Sequence, residues 1–319
     1  MKVCVYGAGA IGGHIAGRLA QGGAEVSVVA RGANLEAYRN HGLRVRLPDG
    51  EIQAKVRASS DPAELGRQDA VVVTVKAPSL SDVAAAIGPL LGPDTKVVFA
   101  MNGIPWFYFL GEGGPHAGMR LPKLDPGGAL ERAIGPERAI AGVVYSSCTV
   151  REPGMIEVEN APGRLVLAQG EAADRLAVPL RAGGLIVETT DRIHDAIWSK
   201  LLMNMSSGPL AILTGATPSG FYAEEGCREA SRTILREGTA IAASLGCTVR
   251  PDVKSRLKNF SRSRHKASIL QDLELGRPME IEALYGVPLD LARLGGVPTP
   301  LLDILVAMVR VRAREAGLY

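Results

Sequence analysis

The residues near the start of the chain that are best suited to chemistry form a glycine-rich turn. The turn has the pattern G-x-G-x-x-G and consists of Gly7, Ala8, Gly9, Ala10, Ile11 and Gly12. It follows a valine-rich run typical of a buried strand and precedes an apolar pattern with helical spacing. The first glycine permits a sharp turn, the second lets a pyrophosphate approach the backbone, and the third lets the helix pack closely on the strand. N–H groups at the helix start can then bind phosphates, which predicts a dinucleotide site. The alternative is a glycine-rich turn without a ligand.

A second group of chemically capable residues lies in the other half of the chain. Lys200 and Asn204 fall seven and eleven residues after Ile193, on or beside the apolar stripe of a predicted helix, and they share one helix face. A protonated lysine beside a ketone oxygen can stabilise the negative charge that hydride addition creates, and it can donate the proton. A lysine whose stem packs along the edge of the stripe explains the same spacing, so periodicity leaves both interpretations open.

The end of the second predicted strand, Glu25 to Ala30, bears on the choice of cofactor. Enzymes that use NAD usually place an acid there for the ribose 2′-hydroxyl. This chain has Arg31 instead, and a guanidinium can bind a 2′-phosphate with two hydrogen bonds. The pattern therefore favours NADP (as NADPH) over NAD, and it also disfavours FAD. The alternative is an exposed loop arginine.

Two more polar residues follow predicted buried strands. Lys76 ends the apolar run from Asp69 to Val75, and Asn102 follows the strand from Lys96 to Met101. Ligands of open α/β sheets bind at the carboxyl ends of the strands, so both residues are candidates for a binding site. The amide of Asn102 suits both cofactor and substrate, although Asn-Gly also favours turns without any function.

The order of these elements predicts an α/β fold with two domains. Residues 1–190 alternate strands and helices, as expected for a Rossmann domain with a doubly wound sheet, whereas the pattern of residues 191–319 is helical. A helix is predicted from Ser81 to Leu91. The segment 106–128, rich in aromatics, Gly and Pro, is either a long loop such as a lid or a surface insertion packed on the sheet.

Composition excludes several classes of protein. The chain has 319 residues, of which 46% are hydrophobic and 22% charged, and its net charge of +3 is too small to suggest a nucleic-acid partner. No apolar run is long enough to span a membrane. A strand beginning at residue 2 leaves no room for a signal peptide, and the four cysteines have no metal-ligand spacing. We therefore expect a cytoplasmic protein with reduced cysteines.

Two charged features of the second half have more than one interpretation. The segment from Asp252 to Lys266 is rich in Arg and Lys, which fits a solvated helix face or the attraction of an anionic ligand. Glu280 follows Pro278 and is accounted for by a helix start, where an acid suits the helix dipole.

Together these stretches resemble the ketopantoate reductase (2-dehydropantoate 2-reductase) family over nearly the whole chain. The matching pieces are Gly7 to Gly12, Val75-Lys76, Asn102-Gly103, Trp198 to Leu201 followed by Asn204, Ser268 with Gln271-Asp272, and Glu280 to Glu282. Their order and spacing are far more specific than the glycine pattern alone.

The resemblance implies a fold, a reaction and a role for each matching residue. It implies a helical C-terminal domain like that of 6-phosphogluconate dehydrogenase, and reduction of ketopantoate by NADPH in pantothenate biosynthesis. Lys200 would be the general acid, and Asn204 and Ser268 would hold the substrate's hydroxyl and carboxylate. Glu280 would help to orient substrate and cofactor. Asn102 and Lys76 would line the cofactor side.

The sequence departs from the family pattern at Gly208, where members commonly carry a second asparagine, and in the length of the segment 106–128. Three hypotheses follow. The first is a ketopantoate reductase, the second a reductase of another small anionic 2-oxo acid, and the third a non-catalytic NADP-binding sensor. Lys200 and Glu280 argue against the sensor, which needs no proton donor. The helical domain is compatible with a homodimer, but no stretch requires one.

Overall fold

The computed structural model describes residues 1–111, 113–249 and 263–319. By their contacts, the described residues form two compact units. The first consists of Met1–Met101 and Pro105–Ile193, and the second of Asn102–Ile104 and the described part of His194–Tyr319. The short segment after Met101 thus packs with the second unit, although the residues on both sides of it belong to the first.

The first unit is built from strands that follow the buried apolar runs of the sequence. They are β1 Lys2–Tyr6, β2 Glu25–Val29, β3 Leu43–Leu47, β4 Gly50–Ala54, β5 Arg57–Ser59, β6 Gln68–Val73, β7 Leu91–Ala100, β8 Ala139–Tyr145, β9 Cys148–Glu152, β10 Met155–Val158, β11 Arg164–Ala168 and β12 Ile186–Thr190. Eight of them form one sheet in the order β12-β11-β8-β7-β6-β1-β2-β5. A smaller sheet has the order β4-β3-β10-β9.

The larger sheet is mostly parallel, and β1 lies between β6 and β2. β1 pairs in parallel with β2 and β6, so that Val3 lies opposite Val26 and Ala70. Among the strand pairs that the described residues form in this sheet, only that of β8 with β11 is antiparallel. Val3 and Val72 are fully buried, as expected for strands covered on both faces. The carboxyl ends of β1, β2 and β6 therefore lie side by side.

Five α-helices accompany these strands within the described residues of the first unit: α1 Ala10–Gln21, α2 Gly32–His41, α3 Leu80–Ala86, α4 Ala129–Ala133 and α5 Glu171–Ala182. The helix predicted from Ser81 to Leu91 is wrong at its end. The α-helix stops at Ala86, and Leu91 already begins β7. Pro89 has no N–H to donate to the carbonyl of Ala85, so the α-helix cannot continue, and Gly88–Leu90 forms a short 3-10 helix instead.

The aromatic start of the segment 106–128 packs against the sheet. Trp106 and Phe107 are buried, and their rings lie 6.0 and 5.4 Å from that of Phe99 on β7. For this first part, packing on the sheet describes the arrangement better than a lid does. Residue 112 lies outside the described residues.

All regular secondary structure in the described part of the second unit is helical. Its elements are α6 Ile193–Thr214 (which starts on the last residue of the first unit), α7 Pro218–Phe221, α8 Glu225–Ser244, α9 Ser268–Glu274, a π-helical turn Glu282–Gly286, α10 Val287–Leu294 and α11 Pro300–Glu315. Most of the basic stretch noted above, residues 252–262, lies outside the described residues. The mainly parallel sheet and the helical second unit confirm the predicted fold class.

One capping contact shows how two helices of the second unit are joined. The carboxylate of Glu237 on α8 accepts hydrogen bonds of 3.0 Å from the N–H groups of Leu301 and Leu302, which caps the start of α11. Among the described residues, no helix combines the length and hydrophobicity that a membrane crossing requires.

Candidate active site in two parts

The glycine-rich turn joins β1 to α1 at the carboxyl edge of the sheet. Gly7 has a φ of +98°, which side-chain-bearing residues rarely adopt, and the N–H groups of Gly7 and Ala8 both donate to the carbonyl of Val29. Gly9 is the N-cap of α1, and no side-chain hydrogen bond from the described residues caps this helix. The first N–H groups of α1 therefore suit a bound phosphate.

The glycines of this turn differ in what surrounds them. A Cβ on Gly12 would overlap the carbonyl oxygen of Gly7 and the hydroxyl of Thr74, and a Cβ on Gly7 would lie 2.6 Å from Cγ1 of Val75. A Cβ on Gly9 would meet no atom of the described residues within 4 Å. Gly7 and Gly12 are thus packed tightly against the protein, whereas the described residues leave space beside Gly9. This arrangement fits a dinucleotide whose pyrophosphate lies against the backbone of Gly9.

Thr74 supports the turn and was not identified from the sequence. Its hydroxyl donates to the carbonyl of Gly7 at 2.8 Å, and its own N–H donates to the carbonyl of Tyr6. A threonine inside an apolar strand run gives no signal of such a role. The contact of Val75 with Gly7 brings the half-buried Lys76, the next residue, to the same edge of the sheet.

Arg31 lies at the end of β2, as the N-cap residue of α2. It is exposed and forms an ion pair of 3.2 Å with Asp82 on α3, whose side chain is also exposed. Burial raises the pKa of Tyr6 at the end of β1; the charge of Arg31 opposes this effect and that of Asp82 adds to it. Arg31 and Asp82 therefore both lie near the carboxyl end of β1, where the turn begins.

In the second unit, α6 presents a polar face. Lys200 and Asn204 are half-buried and one helical turn apart, beside the buried side chains of Ile197 and Leu201. The side-chain nitrogen of Asn204 is buried and has no hydrogen-bond partner among the described residues. A buried donor without a partner is costly, which marks this face as a place where a ligand would be stabilised.

Glu280 lies near Tyr285, and Tyr285 contacts the same face of α6. Glu280 is buried just before the helical turn that begins at Ile281, and its backbone carbonyl accepts a hydrogen bond of 3.1 Å from the N–H of Leu284. Burial and then the charge of Glu280 raise the pKa of Tyr285. The hydroxyl of Tyr285 in turn touches Gly208, one turn beyond Asn204 on α6. Tyr285 was not identified from the sequence, because it lies in an apolar stretch where an aromatic residue is ordinary core.

Ser268 and Asn102 are each connected to the surroundings of Gly208 and Tyr285 by a neighbouring residue. Ser268 is exposed at the start of α9, and the next residue, Ile269, would lie 3.6 Å from a Cβ on Gly208. Asn102 precedes Gly103 and Ile104, and the N–H of Ile104 donates to the carbonyl of Ala283 in the π-helical turn. A Cβ on Gly103 would lie 2.5 Å from the same carbonyl, so only glycine fits this close approach.

The predicted site residues thus fall into two groups. The first unit holds the turn from Gly7 to Gly12 with Lys76 and Arg31, and the second unit holds Asn102, Lys200, Asn204, Ser268 and Glu280. The first group offers backbone N–H groups and cations that suit phosphates. The second offers a lysine, a carboxylate and uncharged hydrogen-bonding groups that suit a small polar substrate.

Comparison with known proteins places these features in a family. The family model described as ketopantoate reductase PanE/ApbA matches residues 3–172, and the model of the C-terminal part of the same family matches residues 192–313. The 2-dehydropantoate 2-reductase of Mesorhizobium japonicum is 45% identical to this chain over 325 residues, which cover 100% of both proteins.

Solved structures agree with this placement. A protein of Ralstonia solanacearum MolK2 assigned as a ketopantoate reductase is 38% identical, with a TM-score of 0.92 over 99% of both chains. A PanE/ApbA family ketopantoate reductase of Ralstonia eutropha JMP134 is 28% identical, with a TM-score of 0.85 over 99% of this chain and 100% of that one. The resemblance seen in the sequence motifs is confirmed, and the chain belongs to the ketopantoate reductase family.

Proposed function

We propose that this protein reduces 2-dehydropantoate (ketopantoate) to pantoate with NADPH. The observation that carries the proposal is the polar face of α6, where Lys200 and Asn204 lie one turn apart and Tyr285 links Glu280 to the same face. The overall change is the addition of a hydride to the carbonyl carbon and of a proton to the carbonyl oxygen.

The first unit contributes the residues that would hold the cofactor. The backbone of the turn from Gly7 to Gly12 would bind the pyrophosphate, and Arg31 would bind the 2′-phosphate. Lys76 would contact the nicotinamide half, together with Asn102 of the second unit. When bound, NADPH supplies the hydride. The preference for NADPH over NADH rests on Arg31, because the end of β2 carries no acid for a free 2′-hydroxyl.

The second unit contributes the residues that would act on the substrate. The ammonium group of Lys200 would stabilise the negative charge that grows on the carbonyl oxygen and would donate the proton there. Glu280 would hold the substrate in orientation. Asn204 and Ser268 would bind the hydroxyl and carboxylate of the substrate, which fixes the carbonyl group relative to Lys200.

The experiment that tests this proposal compares Lys200→Met with the wild type. Removing a positioned proton donor should lower kcat with ketopantoate by about 10²- to 10⁴-fold, while the Kd for NADPH stays nearly constant. Turnover is followed by the loss of NADPH absorbance, and Kd by fluorescence titration. Lys55→Met is the matched control, because Lys55 is an exposed lysine at the end of β4 in the first unit.

Two results would contradict the proposal. Full turnover by Lys200→Met would remove Lys200 from the role of general acid. A wild-type protein that binds NADPH but oxidises it with neither ketopantoate nor any of a panel of 2-oxo acids would instead be a binding protein rather than a reductase.

A further inference from the structure

The hydroxyl of Tyr285 is a buried polar group that the described part of the chain leaves without a hydrogen bond. Its side chain is fully buried, and no atom of the described residues serves as its hydrogen-bond partner. Phenylalanine would fill the same space without this cost, so the hydroxyl calls for an explanation. Tyr285 also lies in a π-helical turn, a local irregularity that is frequent at functional sites.

The space around this hydroxyl exists because residue 208 is glycine. A Cβ on Gly208 would overlap the hydroxyl oxygen of Tyr285 and would lie 3.2 Å from its Cζ atom. Gly208 and Tyr285 therefore depend on each other. The hydroxyl takes the position beside α6 that a side chain at residue 208 would otherwise fill.

A second unsatisfied donor lies close by. Asn204 precedes Gly208 by one helical turn on the same face, so the two positions are about 6 Å apart. Its side-chain nitrogen, like the hydroxyl of Tyr285, is buried without a partner among the described residues. Two neighbouring buried groups of this kind are both satisfied if one small polar ligand lies between them.

The charge next to Tyr285 narrows the chemistry of that ligand group. Burial raises the pKa of Tyr285, and the nearby carboxylate of Glu280 raises it further, so the phenol is neutral at ordinary pH. A ligand carboxylate placed here would be repelled by Glu280. An alcohol would not be repelled, and it can both accept hydrogen bonds from Tyr285 or Asn204 and donate one.

We propose that Tyr285 binds the hydroxyl group of the 2-oxo acid substrate and, with Gly208, selects hydroxylated substrates over those that lack this group. This inference rests on the proposed function, because it assigns a specificity-determining residue to the same site. It also explains how a chain with glycine at position 208 keeps a hydrogen-bonding group at that place.

The test compares ketopantoate with 3,3-dimethyl-2-oxobutanoate, which differs from it only by the missing hydroxyl. Tyr285→Phe should lower kcat/KM for ketopantoate about tenfold, the usual effect of one lost hydrogen bond, and leave that for the deoxy compound nearly unchanged. Tyr222→Phe is the matched control. Tyr222 is a buried tyrosine of the same unit whose hydroxyl bonds to that of Ser231 at 3.0 Å. This control should leave the ratio of the two kcat/KM values unchanged.

Substitution of Gly208 gives an independent readout. Gly208→Ala should displace the hydroxyl of Tyr285 and lower kcat/KM for ketopantoate at least as much as Tyr285→Phe does. In the double variant the loss should be smaller than the product of the two single losses, because the phenyl ring leaves more room for the new methyl group. Independent, multiplicative losses would overturn the proposed contact.

The outcomes also separate this inference from the proposed function. If the wild type reduces ketopantoate and Tyr285→Phe lowers both kcat/KM values equally, or neither, the selection by Tyr285 is overturned while the function stands. If the wild type reduces neither compound although NADPH binds, the proposed function is overturned and this inference with it. In the absence of ligand, Tyr285→Phe should not lower Tm, because the lost hydroxyl bonds to none of the residues that the structure describes. A clear drop in Tm would indicate a structural role instead.

Discussion

The turn at the start of α1 and the polar face of α6 are built on opposite principles. In the turn, Gly7 and Gly12 are required by contacts within the protein, and only Gly9 is open. On α6, Asn204 and the neighbouring Tyr285 keep buried polar atoms that the described residues leave unsatisfied. The first region is a rigid backbone shape that suits phosphates, whereas the second is a set of side chains whose buried polar atoms a ligand would satisfy.

Buried polar groups in the first unit illustrate the difference further. The ring of His14 on α1 is buried, and its Nε2 accepts a hydrogen bond of 3.1 Å from Nε of Arg18. Arg18 also donates to the carbonyl of Gly183 at 2.9 Å. This pair is satisfied within the protein and therefore serves stability. The hydroxyl of Tyr285 has no such partner among the described residues, and we therefore assign it to substrate binding.

The largest effect is expected where the turn has no space. Gly12→Ala should lower the free energy of unfolding by about 1–3 kcal/mol and abolish NADPH binding, because the methyl group would collide with the backbone of Gly7. Gly9→Ala should unfold like the wild type, because the new methyl group would meet no atom of the described residues within 4 Å. It should bind NADPH at least tenfold more weakly, because the methyl group would occupy the place proposed for the pyrophosphate. Urea unfolding and fluorescence titration measure the two quantities.

This pair of variants can break the comparison in two ways. If Gly9→Ala destabilises the fold as much as Gly12→Ala, the turn has no open glycine and the steric argument is wrong. If Gly9→Ala binds NADPH normally, the pyrophosphate does not lie against this residue.

The same contrast decides how much could be predicted from the sequence. The turn was predictable because glycine spacing reports backbone sterics directly, and the strand from Lys2 to Tyr6 was predicted residue by residue. The spacing of Lys200 and Asn204 likewise placed them on one helix face. The end of α3 was predicted wrongly, because the apolar periodicity continues beyond Ala86. The α-helix ends there because Pro89 cannot extend it.

Tyr285 and Thr74 could not be predicted because their significance depends on distant partners. The role of Tyr285 follows from its contact with Gly208, and that of Thr74 from its bond to Gly7, each pair separated by more than 60 residues. A glycine at position 208 indicated only a departure from the family pattern. The structure adds which side chain fills the space.

A smaller effect, on stability, is expected for the hydrogen-bonded pair of His14 and Arg18 in the first unit. Burial and then the charge of Arg18 lower the pKa of His14 from 6.5 to about 4. In the unfolded chain His14 therefore binds a proton below pH 6.5, whereas in the folded protein it binds one only below about pH 4. Stability should be constant above pH 6.5, fall as the pH decreases from 6.5 to 4, and level off below that for this group. The total loss is about 3 kcal/mol, since each factor of ten in proton affinity is worth about 1.4 kcal/mol.

His14→Gln isolates this contribution, because an amide oxygen can accept the bond from Arg18 but does not titrate. Urea unfolding at several pH values should show a weaker loss between pH 6.5 and 4 than in the wild type. His41→Gln replaces an exposed histidine at the end of α2 and should keep the wild-type pH dependence. An unchanged slope in His14→Gln would show that His14 is not held neutral by its surroundings.

The smallest effect concerns the exposed ion pair between Arg31 and Asp82, which lies outside the rigid turn. If Arg31 binds the 2′-phosphate of NADPH, Asp82 competes with that phosphate for the same guanidinium. Asp82→Asn should then tighten NADPH binding a few-fold, the scale of an exposed ion pair, and leave NADH binding unchanged. Arg31→Ala should instead weaken NADPH binding until both cofactors bind alike.

Fluorescence titration with both cofactors at low salt measures these changes, because screening reduces the interaction between exposed charges. Glu188→Gln is the matched control, since it breaks an exposed ion pair with Arg164 that joins β11 to β12 at the other end of the sheet. It should change neither affinity. If Asp82→Asn tightened the binding of NADPH and NADH equally, Asp82 would act on the part that the two cofactors share. Arg31 would then not be the residue that discriminates the 2′-phosphate.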